Sequence, residues 1–115
     1  MNPVNSRVQI QEELLLAKQS RKEGNEGRAR VCARRAAGAA AQIFLDPQGE
    51  NKNSNNAFQT LITLQDKVVL PERIQLAVTR LTQRVNEDHQ LPPEIDLIQE
   101  AGIVISYLKL ETPDN

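Results

Sequence analysis

The chain has 115 residues, of which 39% are hydrophobic and 25% are charged, and this is the composition of one globular domain. It contains no Trp, one Tyr and two Phe, so aliphatic residues and alanine must supply the core. A single cysteine excludes an intrachain disulfide, and together with a single histidine it excludes the usual metal clusters. We therefore expect one domain over residues 1–115, with no metal, no cofactor and no membrane span, in the cytoplasm.

Charges are segregated along the chain, although the net charge is only −1. Residues 18–35 contain seven basic and two acidic residues, whereas residues 36–115 contain six basic and eleven acidic residues. A basic segment of this kind can face a phosphate or an acidic partner. The simpler alternative is that the basic helices pair with the more acidic helices of the same domain.

The first predicted helix covers residues 6–23. Val8 and Leu15 are seven residues apart, and with the neighbouring leucines they indicate an apolar stripe along one side of this helix. Gly24 is suited to end the helix, because glycine readily adopts the left-handed backbone conformation of a C-terminal cap. A reversal of the chain is therefore expected at this glycine.

Asn25 can cap a second predicted helix, which covers residues 26–45. Alanines recur along it at helical spacing, in line with Phe44 at its end. Small residues around Gly38 allow a neighbouring backbone to approach closely. We therefore predict that this helix is the central and most buried one.

A polar break at residues 46–56 precedes a third predicted helix at residues 57–65. Pro71 then suits the first position of a fourth helix, because its missing N–H is not needed there. The apolar residues of this fourth helix have the clearest helical period in the chain: Leu70, Ile74, Ala77, Val78, Leu81 and Val85.

A second polar break, at residues 86–92, leads to a final predicted helix that opens at Pro93 and ends at Leu110. It is apolar over more than half of its circumference, so it must be covered on two sides, by the bundle and by a loop or a second subunit. The β-branched residues 103–105 leave a strand as the alternative. Together the segments predict an all-α domain, an antiparallel up-and-down bundle of four to five helices.

A family resemblance is carried by the segment GNEGRARVCARRAAGAAAQIFL, residues 24–45. Its Gly-Asn turn and its repeat of small residues and alanines resemble the second helix of HEPN domains, also described as nucleotidyltransferase substrate-binding subunits. The Pro-rich break before Glu94 and the long helix at residues 95–110 resemble the final helix of the same family. The resemblance implies a bundle of four or five helices, usually a dimer, in prokaryotic toxin–antitoxin, defence or nucleotide-handling systems.

The main function that the resemblance implies is that of a non-catalytic HEPN-like domain. Such a domain acts as a homodimer and binds a nucleotide, a nucleic acid or a protein. A nucleotidyltransferase is one candidate partner, and the chain itself lacks the Gly-Ser and Asp-x-Asp motifs of the transferase subunit. For the polar contact surface we predict Lys18, Arg21, Arg28 and Arg35, because Arg28 and Arg35 are seven residues apart and project from one side of a helix. A third hypothesis is a scaffold without a ligand, and the sequence does not distinguish it from the non-catalytic binding domain.

The alternative is a metal-independent endoribonuclease. The ribonuclease branch of the family carries an arginine and a histidine with four to six residues between them, and Arg84 and His89 have four. The resemblance implies that His89 helps to activate the ribose 2′-hydroxyl while Arg84 steadies the phosphate. Glu87 and Asp88 adjoin His89, however, and carboxylates favour the protonated imidazole and repel a phosphate. The sequence thus favours the non-catalytic function, and Cys32, on the alanine-rich face, is interpreted as a small core residue.

Overall fold

The computed structural model describes residues 3–46, 56–83 and 95–108, with side chains from Arg7 onward. These ranges form five α-helices: α1 (Pro3–Lys22), α2 (Glu26–Leu45), α3 (Ala57–Lys67), α4 (Glu72–Thr82) and α5 (Leu97–Tyr107). The prediction of an all-α fold is confirmed, and within the described ranges there is no strand. The alternative strand at residues 103–105 is wrong, because these residues lie inside α5. Contacts of α1 with α2, α2 with α3 and α3 with α4 are compatible with an up-and-down order.

Local capping residues set the ends of the helices. Gly24, with a φ of +84°, ends α1, and the side chain of Asn25 accepts a hydrogen bond from the backbone N–H of Arg28 at 3.1 Å to begin α2. The predicted bounds of α2 are confirmed. At α4 the helix begins one residue later than predicted, because Pro71 is the N-cap residue and not the first helical one.

The beginning of α5 differs from the prediction. It starts at Leu97, because the carboxylate of Asp96 accepts hydrogen bonds from the backbone N–H groups of Ile98 and Gln99, at 3.0 and 3.2 Å. These bonds supply the acceptors that the free N–H groups of a first helical turn require. Pro93, where the helix was predicted to open, lies outside the described residues.

The alanine-rich α2 contacts each of the other four helices, so the prediction that it is central is confirmed. Its buried residues are nearly all small: Ala29, Cys32, Ala33, Ala36, Ala37, Gly38, Ala40, Ala41 and Ile43. A Cβ atom added to Gly38 would lie 2.6 Å from the Cα atom of Ala57, the first residue of α3. The start of α3 therefore packs directly on the backbone of α2, and this close approach requires a glycine at position 38.

The predicted inward face of α1 is wrong. Val8 is 47% exposed and Leu15 is 65% exposed, whereas Ile10 and Ala17 are buried. The run of three leucines at residues 14–16 points in three directions, so the periodicity did not identify the side that meets α2. Phe44, predicted to point inward from α2, is exposed as well. Across the described part of the chain, no helix is long and apolar enough to cross a membrane.

Candidate functional site

A buried carboxylate joins α4 to α5. Glu100 is 3% exposed, and Arg73 donates to its Oε1 and Oε2 atoms at 2.9 and 3.1 Å. Arg80, seven residues further along α4, donates to Oε2 at 3.0 Å. Burial by itself would raise the pKa of Glu100, but the hydrogen bonds from the two arginines outweigh burial and hold the pKa below its usual value. We refer to Arg73 and Arg80 as the α4 clamp.

Arg21, one of the predicted contact residues, holds three helix ends together. Its Nε and Nη2 atoms donate to the carboxylate of Glu26 at 3.0 and 2.7 Å, and its Nη1 atom donates to Asp96 at 3.0 Å. These bonds place the end of α1 beside the starts of α2 and α5. The bond to Glu26 is the main cause of the raised pKa of Arg21, and the same bond is the main cause of the lowered pKa of Glu26.

The exposed edge of α2 consists of Arg28, Val31 and Arg35, and we call it the α2 ridge. Val31 is 39% exposed between the two arginines, and Cys32 is buried beneath them. Burial raises the pKa of the Cys32 thiol, the carboxylate of Glu13 on α1 raises it further, and Arg28 opposes both. The thiol is therefore held in its neutral form, which agrees with its interpretation as a core residue.

Glu13 lies against Cys32 without being held by the arginines of the ridge. Its Oε1 atom is buried and has no hydrogen-bond partner among the described residues. Neither Arg28 nor Arg35 forms an ion pair with any carboxylate in the described ranges. The ridge thus presents two guanidinium groups whose charges are not matched within residues 3–46, 56–83 and 95–108.

Lys18 is exposed, but it points away from the ridge. It is five residues from Glu13, and five residues turn an α-helix by about 140° from the starting side. Because Glu13 faces Cys32 on α2, Lys18 lies on another side of α1. Of the four predicted contact residues, the structure therefore brings Arg28 and Arg35 onto one edge, and it leaves Lys18 apart and Arg21 in ion pairs.

Arg84 and His89, the residues of the ribonuclease alternative, lie outside the described residues, so that alternative stays a prediction. Within the described part of the chain, no three His, Cys, Asp or Glu side chains are grouped so that they could hold a metal ion.

No family model, curated protein or solved structure matches this chain. The resemblance to HEPN domains depends on the residues of the second and last helices that carry it, and it stays an expectation.

Sequence reasoning missed the α4 clamp. Two signals for it exist in the sequence: Glu100 is the only charged residue between Leu97 and Leu108, and Arg73 and Arg80 have the spacing of one helix side. A charged group in an otherwise apolar helix needs a partner of opposite charge if the helix is buried. Neither signal tells which arginines approach Glu100, because this depends on how α4 and α5 pack.

Proposed function

We propose that this chain is a non-catalytic helical binding domain, which contacts an anionic group of its ligand through the α2 ridge. The observation that supports it is the contrast among the arginines. Arg21, Arg73 and Arg80 are engaged by carboxylates of the same chain, whereas Arg28 and Arg35 are exposed and form no ion pair within the described ranges. An unmatched pair of guanidinium groups is suited to bind carboxylates or phosphates, because each presents a planar set of donors.

The ligand classes of the proposal are a nucleotide, a nucleic acid or a protein, and a nucleotidyltransferase is the candidate protein that the HEPN resemblance adds. The proposal includes a cytoplasmic location, which fits a free and buried Cys32. A catalytic function is not part of it.

The binding test compares two variants with equal changes of charge. Arg28→Glu with Arg35→Glu reverses the ridge, and Lys22→Glu with Lys67→Glu reverses two exposed lysines elsewhere. We expect the first variant to lose at least ten-fold in affinity for its ligand, with ATP and a short oligouridylate as the first probes, and the second variant to bind as the unmodified protein does. Equal binding by both variants, or equal loss in both, would contradict the assignment of the ridge.

We further propose that the chain is a homodimer, in which α5 packs against a second copy through its outer side. Ile98 and Ile103 are only partly buried there, and a Cβ atom added to Gly102 would meet no atom of the described residues within 4 Å. The outer side of α5 is uncharged around Gly102, so two copies can meet without repulsion in a symmetric interface. Light scattering is expected to give about twice the chain mass of 12.9 kDa.

Gly102→Leu tests the dimer face directly. The open space around Gly102 accepts a side chain in the single subunit, and leucine favours a helix more than glycine does. The variant should therefore fold and be monomeric. A dimer that persists in this variant, or an unmodified protein with the mass of one chain, would refute this part of the proposal.

A further inference from the structure

Two helices of this chain repeat one arrangement of side chains. It consists of an arginine, an exposed aliphatic residue three positions later, a buried small residue four positions later and a second arginine seven positions later. The residues are Arg28, Val31, Cys32 and Arg35 on α2, and Arg73, Leu76, Ala77 and Arg80 on α4. The exposures agree as well, because Val31 is 39% exposed and Leu76 is 42% exposed.

The α4 copy shows what this arrangement binds. Its two arginines converge on one carboxylate, Glu100, and the helix that carries this carboxylate has no other charged residue. Three hydrogen bonds to charged groups satisfy both oxygens of the carboxylate. Two arginines about two turns apart on a helix are therefore matched to one anionic group that a packed helix presents between them.

The α2 copy holds no such group from residues 3–46, 56–83 or 95–108. Glu13 of α1 approaches the small residue Cys32, at the place that corresponds to Ala77, but its buried Oε1 atom accepts no hydrogen bond from a described residue. Arg28 and Arg35 consequently form no ion pair with a carboxylate of the described residues and keep their capacity to bind one.

We propose that the α2 ridge is the docking site for a helix of a partner protein, and that this helix carries a single carboxylate within an aliphatic face. The inference rests on the proposed binding function and narrows its ligand to a protein. The α4 clamp supports it, because the same arrangement there binds a helix of this kind. A second copy of the chain does not fit through the same ridge, since a symmetric contact would bring arginines against arginines.

Features of the ridge favour a protein helix over a nucleic acid. Val31 is exposed between the arginines, and Leu16, three residues after Glu13 on the same side of α1, is 38% exposed. Aliphatic side chains pack on an apolar helix face and have no comparable role against a phosphate backbone. The ridge also has no aromatic side chain on which a base could stack.

The experiment uses a synthetic peptide with the sequence of residues 97–108, in which Glu100 is the single acidic side chain, and a peptide with Glu100→Gln. Each carries a fluorophore and a short polyethylene glycol tail and is titrated with the full-length protein. We expect the Glu100 peptide to bind at least ten-fold more tightly than the Gln peptide. Arg28→Gln with Arg35→Gln should reduce binding of the Glu100 peptide by at least ten-fold, because it removes the guanidinium groups that donate charge-assisted hydrogen bonds to the carboxylate. Lys22→Gln with Lys67→Gln, an equal change of charge, should bind it as the unmodified protein does.

Equal binding of the two peptides would overturn the inference. It would also be overturned if the Glu100 peptide bound the Arg28→Gln, Arg35→Gln variant as tightly as the unmodified protein, as is expected if the peptide replaces α5 at the α4 clamp. Titration with an oligouridylate distinguishes failure of this inference from failure of the proposed function. If it binds the ridge and the peptide does not, the ridge binds phosphates, so the proposed function holds and the inference fails. If neither probe nor ATP binds, both fail.

Discussion

Arg73 and Arg80 on α4 hold a buried carboxylate, whereas Arg28 and Arg35 on α2, at the same spacing, face outward. The difference comes from the neighbouring helix. α5 brings Glu100 between the arginines of α4, where both of its oxygens are bound, whereas the carboxylate that α1 brings to α2 is not bound by either arginine. Equal sequence spacing thus produces a structural ion cluster in one place and an open surface in the other, and stability and binding measurements can separate the two.

The largest effect is expected when the α4 clamp is broken from the arginine side. Arg73→Gln with Arg80→Gln leaves Glu100 buried at 3% exposure without a cationic partner. Breaking a fully buried pair costs about 3–5 kcal/mol. Because Arg73 and Arg80 are partly exposed, the free energy of unfolding should fall by no more than about the lower of these values at neutral pH. Urea unfolding followed by circular dichroism measures it. A loss below about 1 kcal/mol would show that Glu100 is stable in the core without the clamp.

A smaller loss of stability is expected when the carboxylate of the cluster is replaced instead of the arginines. Glu100→Gln removes the charge of the buried group, and its two arginines are partly exposed and can be hydrated. We expect a loss of about 1–2 kcal/mol, because the NH2 group of glutamine cannot accept a hydrogen bond, so at most two of the three arginine contacts remain, each to a neutral acceptor. The same urea experiment measures this loss. A larger loss for this variant than for the double arginine variant would contradict the view that burial of the carboxylate dominates.

Acid should reduce the stability that the ion cluster of Glu100 and the α4 clamp contributes, and it should have no effect at the α2 ridge. The pKa of Glu100 is lowered in the folded protein from its usual value of 4.5, and the pKa of Glu26 is lowered as well. Both contributions are therefore fully present above about pH 4.5 and are lost as the pH falls through the lower folded-state values. Urea midpoints measured from neutral pH downward should decrease in this acid range, and Glu100→Gln should reduce the decrease. An unchanged acid profile in this variant would refute the assignment to Glu100.

The smallest effect on stability is expected at the α2 ridge. Arg28→Gln with Arg35→Gln removes exposed charges that have no ion pair among the described residues, so the free energy of unfolding should change by less than about 0.5 kcal/mol. This double variant is the chemical match of the double variant at the α4 clamp. A loss comparable to that of the clamp variant would mean that the ridge arginines stabilise the fold and are not an open surface.

Features determined by neighbours in the sequence could be predicted, and features determined by packing could not. The bounds of α2 follow from Gly24, Asn25 and the spacing of its alanines, all of which act locally. The prediction of which side of α1 faces inward was wrong, because three consecutive leucines are compatible with several helix faces. The exposure of Arg28 and Arg35 on one edge follows from their spacing, whereas the hydrogen bond of Arg21 to Asp96 depends on the packing of α5 beside α1 and α2.

Cys32 is the only cysteine of the chain, and it is buried where α1 meets α2. A thiol reagent can therefore react with the native protein only when the side chains and helices that cover Cys32 move apart. If they close faster than the reagent reacts, the labelling rate relative to that of an unfolded cysteine gives the free energy of this local opening. The unmodified protein thus contains its own probe for partial unfolding of one helix pair, with no second thiol to confuse the measurement.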